Sequence, residues 1–355
     1  MNAAISGLKM HMDKLNVIGN NIANVNTNGY KAQRMLFKDS LYTTVQGGSN
    51  GTSQTGGRNP SQLGYGVQLK SISLDMSAGS YTPTGKATDM MINGDGFFLV
   101  GDKTQTVYGD NATPADFSGL NLSRVGDFEI KADGYLTDGQ GGVVYGFLAT
   151  GVDAQTGKPI MSNQLVPIRV PRQAVDANTG DVTIAWPTEA QNGPLTDTVG
   201  GGNGASENPL LKYSSLSVSA DGKITVYADD VGQMVTVGYI AVGSVANPNG
   251  VTHTSGNYYT AGEGSGDLSI SMFGGVAADL GLTYVALGNG AQNADQGMRI
   301  GNCNSDLLTN GLEGSKTDLA NEISDMITAQ RGYQANTRII TVTDSMLEEL
   351  VNIKR

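Results

Sequence analysis

The residues that could do chemistry are few and scattered. GVDAQTGKP at 151–159 has the glycines and lysine of a phosphate loop, but five residues separate Gly151 from Gly157 and proline follows Lys158. The hydroxyl that would hold Mg²⁺ and the helix that would present backbone N–H groups are both missing, so a surface turn is expected. DANTGDVT at 176–183 gathers Asp176, Asn178 and Asp181, without the spacing or closing glutamate of an EF-hand. His11 and His253 lie far apart with no Cys or His at ligand spacing, which supports neither a zinc site nor a histidine triad. Cys303 in GNCNSD has no basic sequence neighbour to favour a thiolate. Asp133-Gly134 and Asp221-Gly222 are ordinary turn pairs. No catalytic set, metal site or cofactor is expected, and the chain does not read as an enzyme.

The elements around these residues explain the poverty of chemistry. Of 355 residues 50 are glycine, 15% are charged and 6% aromatic, a composition of many short strands and turns rather than one aromatic core. A net charge of −11 argues against nucleic acid, which needs a basic face. No apolar run approaches the ~18 residues of a membrane span, so no membrane insertion is expected. The lysines within MNAAISGLKMHMDKL make the N-terminus unlike a cleavable secretory signal.

Helical periodicity is confined to the two ends. Ile5, Leu8, Met12 and Leu15 step by three or four residues, and Ile18, Ile22 and Val25 continue the face. Leu319, Met326, Tyr333, Ile340 and Leu347 fall at heptad spacing, with Ile323, Ile327, Ile339, Met346 and Leu350 beside them, a coiled-coil pattern. A helix over 316–353 would be ~57 Å long. Between the ends, alternating runs such as VQLKSISLDM, FEIKADGYLTD and MVTVGYIAVGSV predict strands, with DG pairs at the turns. The fold class expected is α+β: paired, coiled-coil-like terminal helices with nested mainly-β domains between them. The expected domains are a helical one from 1–45 plus 312–355, an extended linker at 46–69, a β domain from 70–148 plus 211–311, and a small inserted outer β domain at 149–210.

The first helix carries an unusual load of asparagine in LNVIGNNIANVNTNGYK, residues 15–31. Asn16, Asn20 and Asn24 form a stripe opposite the apolar face. Amides donate and accept without the desolvation cost of a charge, so the stripe reads as a polar interface. Asn26, Asn28 and Gly29 read as the helix stop.

These same residues carry a family resemblance. SGL at 6–8, LNVIGNNIANVNTNGYK at 15–31 and SKTDLANEISDMITAQRGYQANTRIITVTDSMLEELVNIKR at 315–355 resemble the terminal signatures of bacterial flagellar axial proteins of the rod and hook. TGKATDMMINGDGFFLV at 84–100, with Gly94, Gly96, Phe97 and Phe98, and LSRVGDFEIKADGYLTDGQGGVVYG at 122–146 are similar to that family's core blocks. The resemblance implies a structural subunit of the hook, self-assembling through its terminal helices into a hollow, bendable tube that transmits torque from rod to filament. Its implied partners are copies of itself, the distal rod and hook–filament junction proteins, the hook cap and the type III export apparatus. The implied location is the bacterial flagellum, outside the cell after export. A distal rod subunit is the alternative, and a secreted β-rich adhesin a distant one.

Overall fold

A computed structural model describes residues 2–51, 56–103, 119–175, 182–189, 195–196, 209–275, 279–282, 284–286, 297–303 and 305–353. The chain forms two compact units, one from Met1–Asp75 with Ser315–Arg355 and the other from Met76–Gly314.

The first unit holds helix α1 (Asn2–Ala23), strands β1 (Gln33–Asp39), β2 (Tyr42–Gln46), β3 (Ser61–Gly64) and β4 (Val67–Leu74), and helix α2 (Leu319–Ile353). Helix α1 gives way to turns after Ala23, and Gly29 takes a φ of 66° before Tyr30. Helix α2 is preceded by Asp318, whose Oδ1 accepts the N–H of Ala320 at 3.0 Å, with Glu322 in the first turn. A capping carboxylate and an acidic first turn both favour the positive end of a helix. Strand β1 pairs antiparallel with β4, from Gln33 opposite Leu74 to Asp39 opposite Val67. Strand β3, within the span expected as a linker, pairs with β2, at the end of the span expected as helical, in a two-stranded ribbon with every residue exposed.

The second unit is built on a 13-stranded sheet. Its centre is the strand Val143–Val152, which pairs with Phe97–Gly101 and Gln233–Val245. Strand Pro159–Pro167, inside the span expected as an insert, pairs with Val143–Val152 and so extends the main sheet. Arg172–Val175 and Val182–Ala185 form a separate pair beyond it. The core gathers Ile92, Phe98, Val100, Phe128, Val144, Ile240, Val242 and Phe273, with Phe98 and Phe128 edge to face at 5.0 Å. Such inward-facing residues come from period-two runs, the pattern the sequence shows. The α+β class holds in this sense: helices at the termini, strands between.

Two glycines of the INGDGFF run explain its composition. Gly94 and Gly96 have φ of 124° and 125°, a region that disfavours side chains. A Cβ on Gly96 would stand 2.5 Å from Val242 Cγ1. The turn they make delivers Phe97 and Phe98 into the interior. Beneath it Arg124 is buried, its Nη2 donating to Gly94 O at 2.8 Å while its guanidinium lies 5.3 Å from the Phe97 ring centre. Glu313, also buried, has Oε2 4.0 Å from Arg124 Nη1 and accepts the Gly79 N–H on Oε1 at 2.7 Å. Burial pushes the Arg124 pKa down and the Glu313 charge opposes that shift.

Candidate assembly interface

The residues weighed for catalysis take structural places. The 151–159 run is the hairpin turn between Val143–Val152 and Pro159–Pro167, closed by the Gly157 N–H on Asp153 O at 2.8 Å. His11 stands edge-on to Phe37 at 6.1 Å and His253 to Tyr259 at 5.2 Å. Half-buried Cys303 points its thiol at Asp95 O, 3.6 Å away. Gly134 and Gly222, at φ of 83° and 75°, close the two Asp-Gly turns. Residues 176–181 lie outside the described residues. Among the described residues no three His, Cys, Asp or Glu side chains group to hold a metal ion.

What the first unit does offer is a helix pair with bare flanks. Its antiparallel sense follows from four contacts: Gly7 with Asn336, His11 with Gly332, Lys14 with Asp325 at 3.5 Å, and Asn21 with Glu322 at 2.9 Å. On α2 the half-buried seam runs Glu322, Met326, Ala329, Tyr333, Asn336, Ile340, with Ala329 fully buried. Steps of four and three are heptad spacing, yet large apolar residues fill only every second position. Small residues fill the approach instead. A Cβ on Gly332 would lie 2.6 Å from His11 Cε1, and one on Gly7 2.9 Å from Asn336 Nδ2. The helices therefore meet too closely for a core of large side chains on both. The seam thus keeps heptad spacing while small residues take the places where the helices come closest.

The apolar residues expected to pair the helices consequently divide. Ile18 is buried, and Leu8, Leu15, Ile22, Val25, Met326, Tyr333 and Ile340 are half-buried. Ile5, Met12, Leu319, Ile323 and Leu347 are exposed. So are Ile327, Ile339, Val342, Met346, Leu350, Val351 and Ile353. No helix is long and apolar enough to cross a membrane among the described residues.

The asparagine stripe also divides. Asn16 and Asn20 are exposed and Asn24 half-buried. Asn24 Nδ2 donates to Asn20 O at 2.9 Å, and Asn20 Nδ2 to the Tyr30 hydroxyl at 3.1 Å. The amide that matters most inside the chain is one the stripe omits, the buried Asn21. Its Nδ2 donates to Gln33 O at 2.8 Å and Glu322 Oε1 at 2.9 Å. Its Oδ1 accepts from the Tyr30 hydroxyl and the Gln33 N–H, each at 3.0 Å. One side chain thus ties α1, the turn after it, β1 and α2, with both its donors and its acceptor used. The sequence held a signal for this residue: Asn21 falls three after Ile18 and four before Val25, on the apolar face. Burial raises the Glu322 pKa, the Asn21 hydrogen bond pulls it back, and Asp325 pushes it up again. Tyr30 is raised by burial and by the Glu322 charge.

Comparison with known proteins converges on these same ends. Residues 1–31 match the family described as flagella basal body rod protein, and residues 309–353 the one described as flagellar basal body rod FlgEFG protein C-terminal. The flagellar basal-body rod protein FlgG of Bacillus subtilis is 30% identical over 353 residues, covering 99% of this chain and 98% of that one. The flagellar hook protein FlgE of Borreliella burgdorferi is 26% identical, covering 99% of this chain and 98% of its own. The flagellar hook protein FlgE of Salmonella typhimurium is 25% identical, with 99% of each chain covered. Aligned from end to end with such a relative, and matching on both terminal segments, the chain belongs to the flagellar rod and hook family, structural proteins of the bacterial flagellum and not enzymes.

Proposed function

We propose that this chain is a hook subunit that polymerises with copies of itself into a hollow axial tube. The observation that carries self-assembly is the exposure of apolar residues along both terminal helices. Ile5, Met12, Leu319, Ile323 and Leu347 are bare in the single chain and become inter-subunit contacts in the tube. Exposed apolar patches of this kind mark interaction surfaces. Leu8, Leu15, Ile18, Ile22, Val25, Met326, Tyr333 and Ile340 hold the pair within each subunit, and Asn16, Asn20 and Asn24 give the polar contacts around it. The INGDGFF turn at Gly94, Gly96, Phe97 and Phe98 serves folding within the β unit. At its ends such a tube meets rod and junction proteins, and a cap and an export apparatus serve its growth.

The hook reading rests on resemblance: the run GGRNPSQLGYGVQLKSIS at 56–73 is similar to that of hook proteins, and rod proteins of this pattern generally lack a sizeable insert after VVYG. A distal rod subunit is the second reading, favoured by the name of the Bacillus subtilis relative and by the β2–β3 ribbon. That ribbon pairs a strand of the expected extended linker with the strand before it. Electron microscopy of the purified chain tests assembly: hollow tubes are expected, and a persistent monomer would refute it. Position is tested with gold on Ala154→Cys in a Cys303→Ser background, since Ala154 sits exposed in a turn. Label on the curved external segment of isolated hook–basal bodies is the expected result, and label on the straight segment makes the chain a rod subunit.

A further inference from the structure

Charge is divided unevenly between the two units. Residues 76–314 hold 24 Asp and Glu against 10 Lys and Arg, a formal charge of −14. Residues 1–75 with 315–355 hold 9 against 12, a charge of +3. Several basic side chains of the β unit are already engaged within it: Lys103 pairs with Asp133, Lys131 with Glu129, and the buried Arg124 with Glu313. Asp102, Asp221, Asp229, Glu263, Asp267 and Asp306 are exposed, at turns and strand ends. A surface so strongly of one sign keeps chains dispersed and opposes the close approach of like units.

Symmetry makes that approach unavoidable in a polymer. In an open helical assembly every copy is equivalent, so each β unit lies at one radius and has other β units among its neighbours. A unit of this length has a radius of gyration of ~18 Å. At 10 mM salt the Debye length is ~30 Å, and the charges of one unit reach across much of the next; at 150 mM it is ~8 Å, and only facing surfaces interact. The +3 of the helical unit leaves the whole chain at −11, so no arrangement of identical copies removes the repulsion.

We propose that ionic strength gates assembly: β units of neighbouring copies hold the chains apart until mobile cations screen the −14 that each carries. This inference rests on the self-assembly proposed above and adds what regulates it. The attractive contacts and the gate lie on different residues, so the gate is separable from assembly itself. Repulsion grows as the product of the charges, so moving each β unit from −14 to −10 leaves about half of it.

The full-length chain and a variant carrying Asp229→Asn, Glu263→Gln, Asp267→Asn and Asp306→Asn test it, with folding of both checked by circular dichroism. The critical concentration of the wild type, read by sedimentation, is expected to fall at least tenfold between 10 and 150 mM NaCl. In the variant the logarithm of that ratio is expected to be about half as large. A wild-type critical concentration that does not fall, or a variant with the wild-type salt dependence, overturns the gate. Static light scattering below the critical concentration gives a separate reading. Strong repulsion between dispersed chains is expected at 10 mM, lost at 150 mM and weakened in the variant, and its absence overturns the charge argument whether or not tubes form. Chains that repel as expected yet never polymerise at any salt overturn the self-assembly reading instead.

Discussion

Asn21 is the residue on which the first unit turns. It is buried, sits on the apolar face of α1, and bonds to Gln33, Tyr30 and Glu322. Leucine there would fill the space and match the periodicity, yet it would strip partners from the Gln33 backbone and from Glu322. Asn21→Leu is expected to lower the stability of the helical unit by about 2–4 kcal/mol, read in thermal melts of the far-ultraviolet helical signal. Glu322 adds a pH dependence of defined sign. Its folded-state pKa is raised above the ordinary 4.5 by burial first. Its contribution therefore favours the folded unit at acid pH, is fully present below that ordinary value, and is lost as pH rises through the raised one. Glu322→Gln is expected to flatten this part of the melting temperature against pH profile. An unchanged slope in the variant would contradict the burial of that carboxyl.

At the scale of elements, the helix pair is set by what is small. Ala4, Gly7, Ala329 and Gly332 allow the axes to approach, and His11 fills the space over Gly332. Gly332→Ala adds helix propensity of about 1 kcal/mol but puts a methyl 2.6 Å from the His11 ring, which Phe37 backs edge-on. Overpacking of this kind costs about 1–3 kcal/mol, so net destabilisation is expected. His11→Ala in the same chain removes the obstruction, and the double variant should be more stable than the sum of the singles. A double-mutant cycle with no coupling would mean that the helices do not meet at this point. The periodicity of each helix was legible beforehand because 3.6-residue repeats survive in any context. Which heptad positions would face the partner was not, since close approach depends on the partner's small residues.

For the whole molecule, the nested order of the chain shapes how it can be cut. Strands Asp306–Thr309 and Gly311–Glu313 pair with Met90–Asn93 and Tyr81–Pro83 inside the β unit. Glu313 sits beside the buried Arg124, and a buried ion pair broken from one side costs about 3–5 kcal/mol. A fragment spanning 76–314 is therefore expected to fold alone and stay monomeric. A fragment ending before Leu312 should be markedly less stable to urea. Equal urea midpoints for the two would show that the Arg124–Glu313 pair does not close the unit. The link between these residues is invisible to local reading, because they stand far apart in sequence and only the strand pairing joins them.

The sequence by itself determined the terminal helices, the strand-rich middle, the turns at Asp133-Gly134 and Asp221-Gly222, and the family signatures at both ends. Each of these is written in local period, turn chemistry or motif, which need no knowledge of distant residues. Tertiary structure decided that Asn21 on the apolar face joins α1 to β1 and α2. It also decided that Leu319 and Leu347 stay bare while Met326, Tyr333 and Ile340 turn inward. The reason is the length mismatch and close approach of α1 and α2. A helix of 22 residues cannot cover one of 35, and glycine at the crossing leaves the larger side chains facing outward.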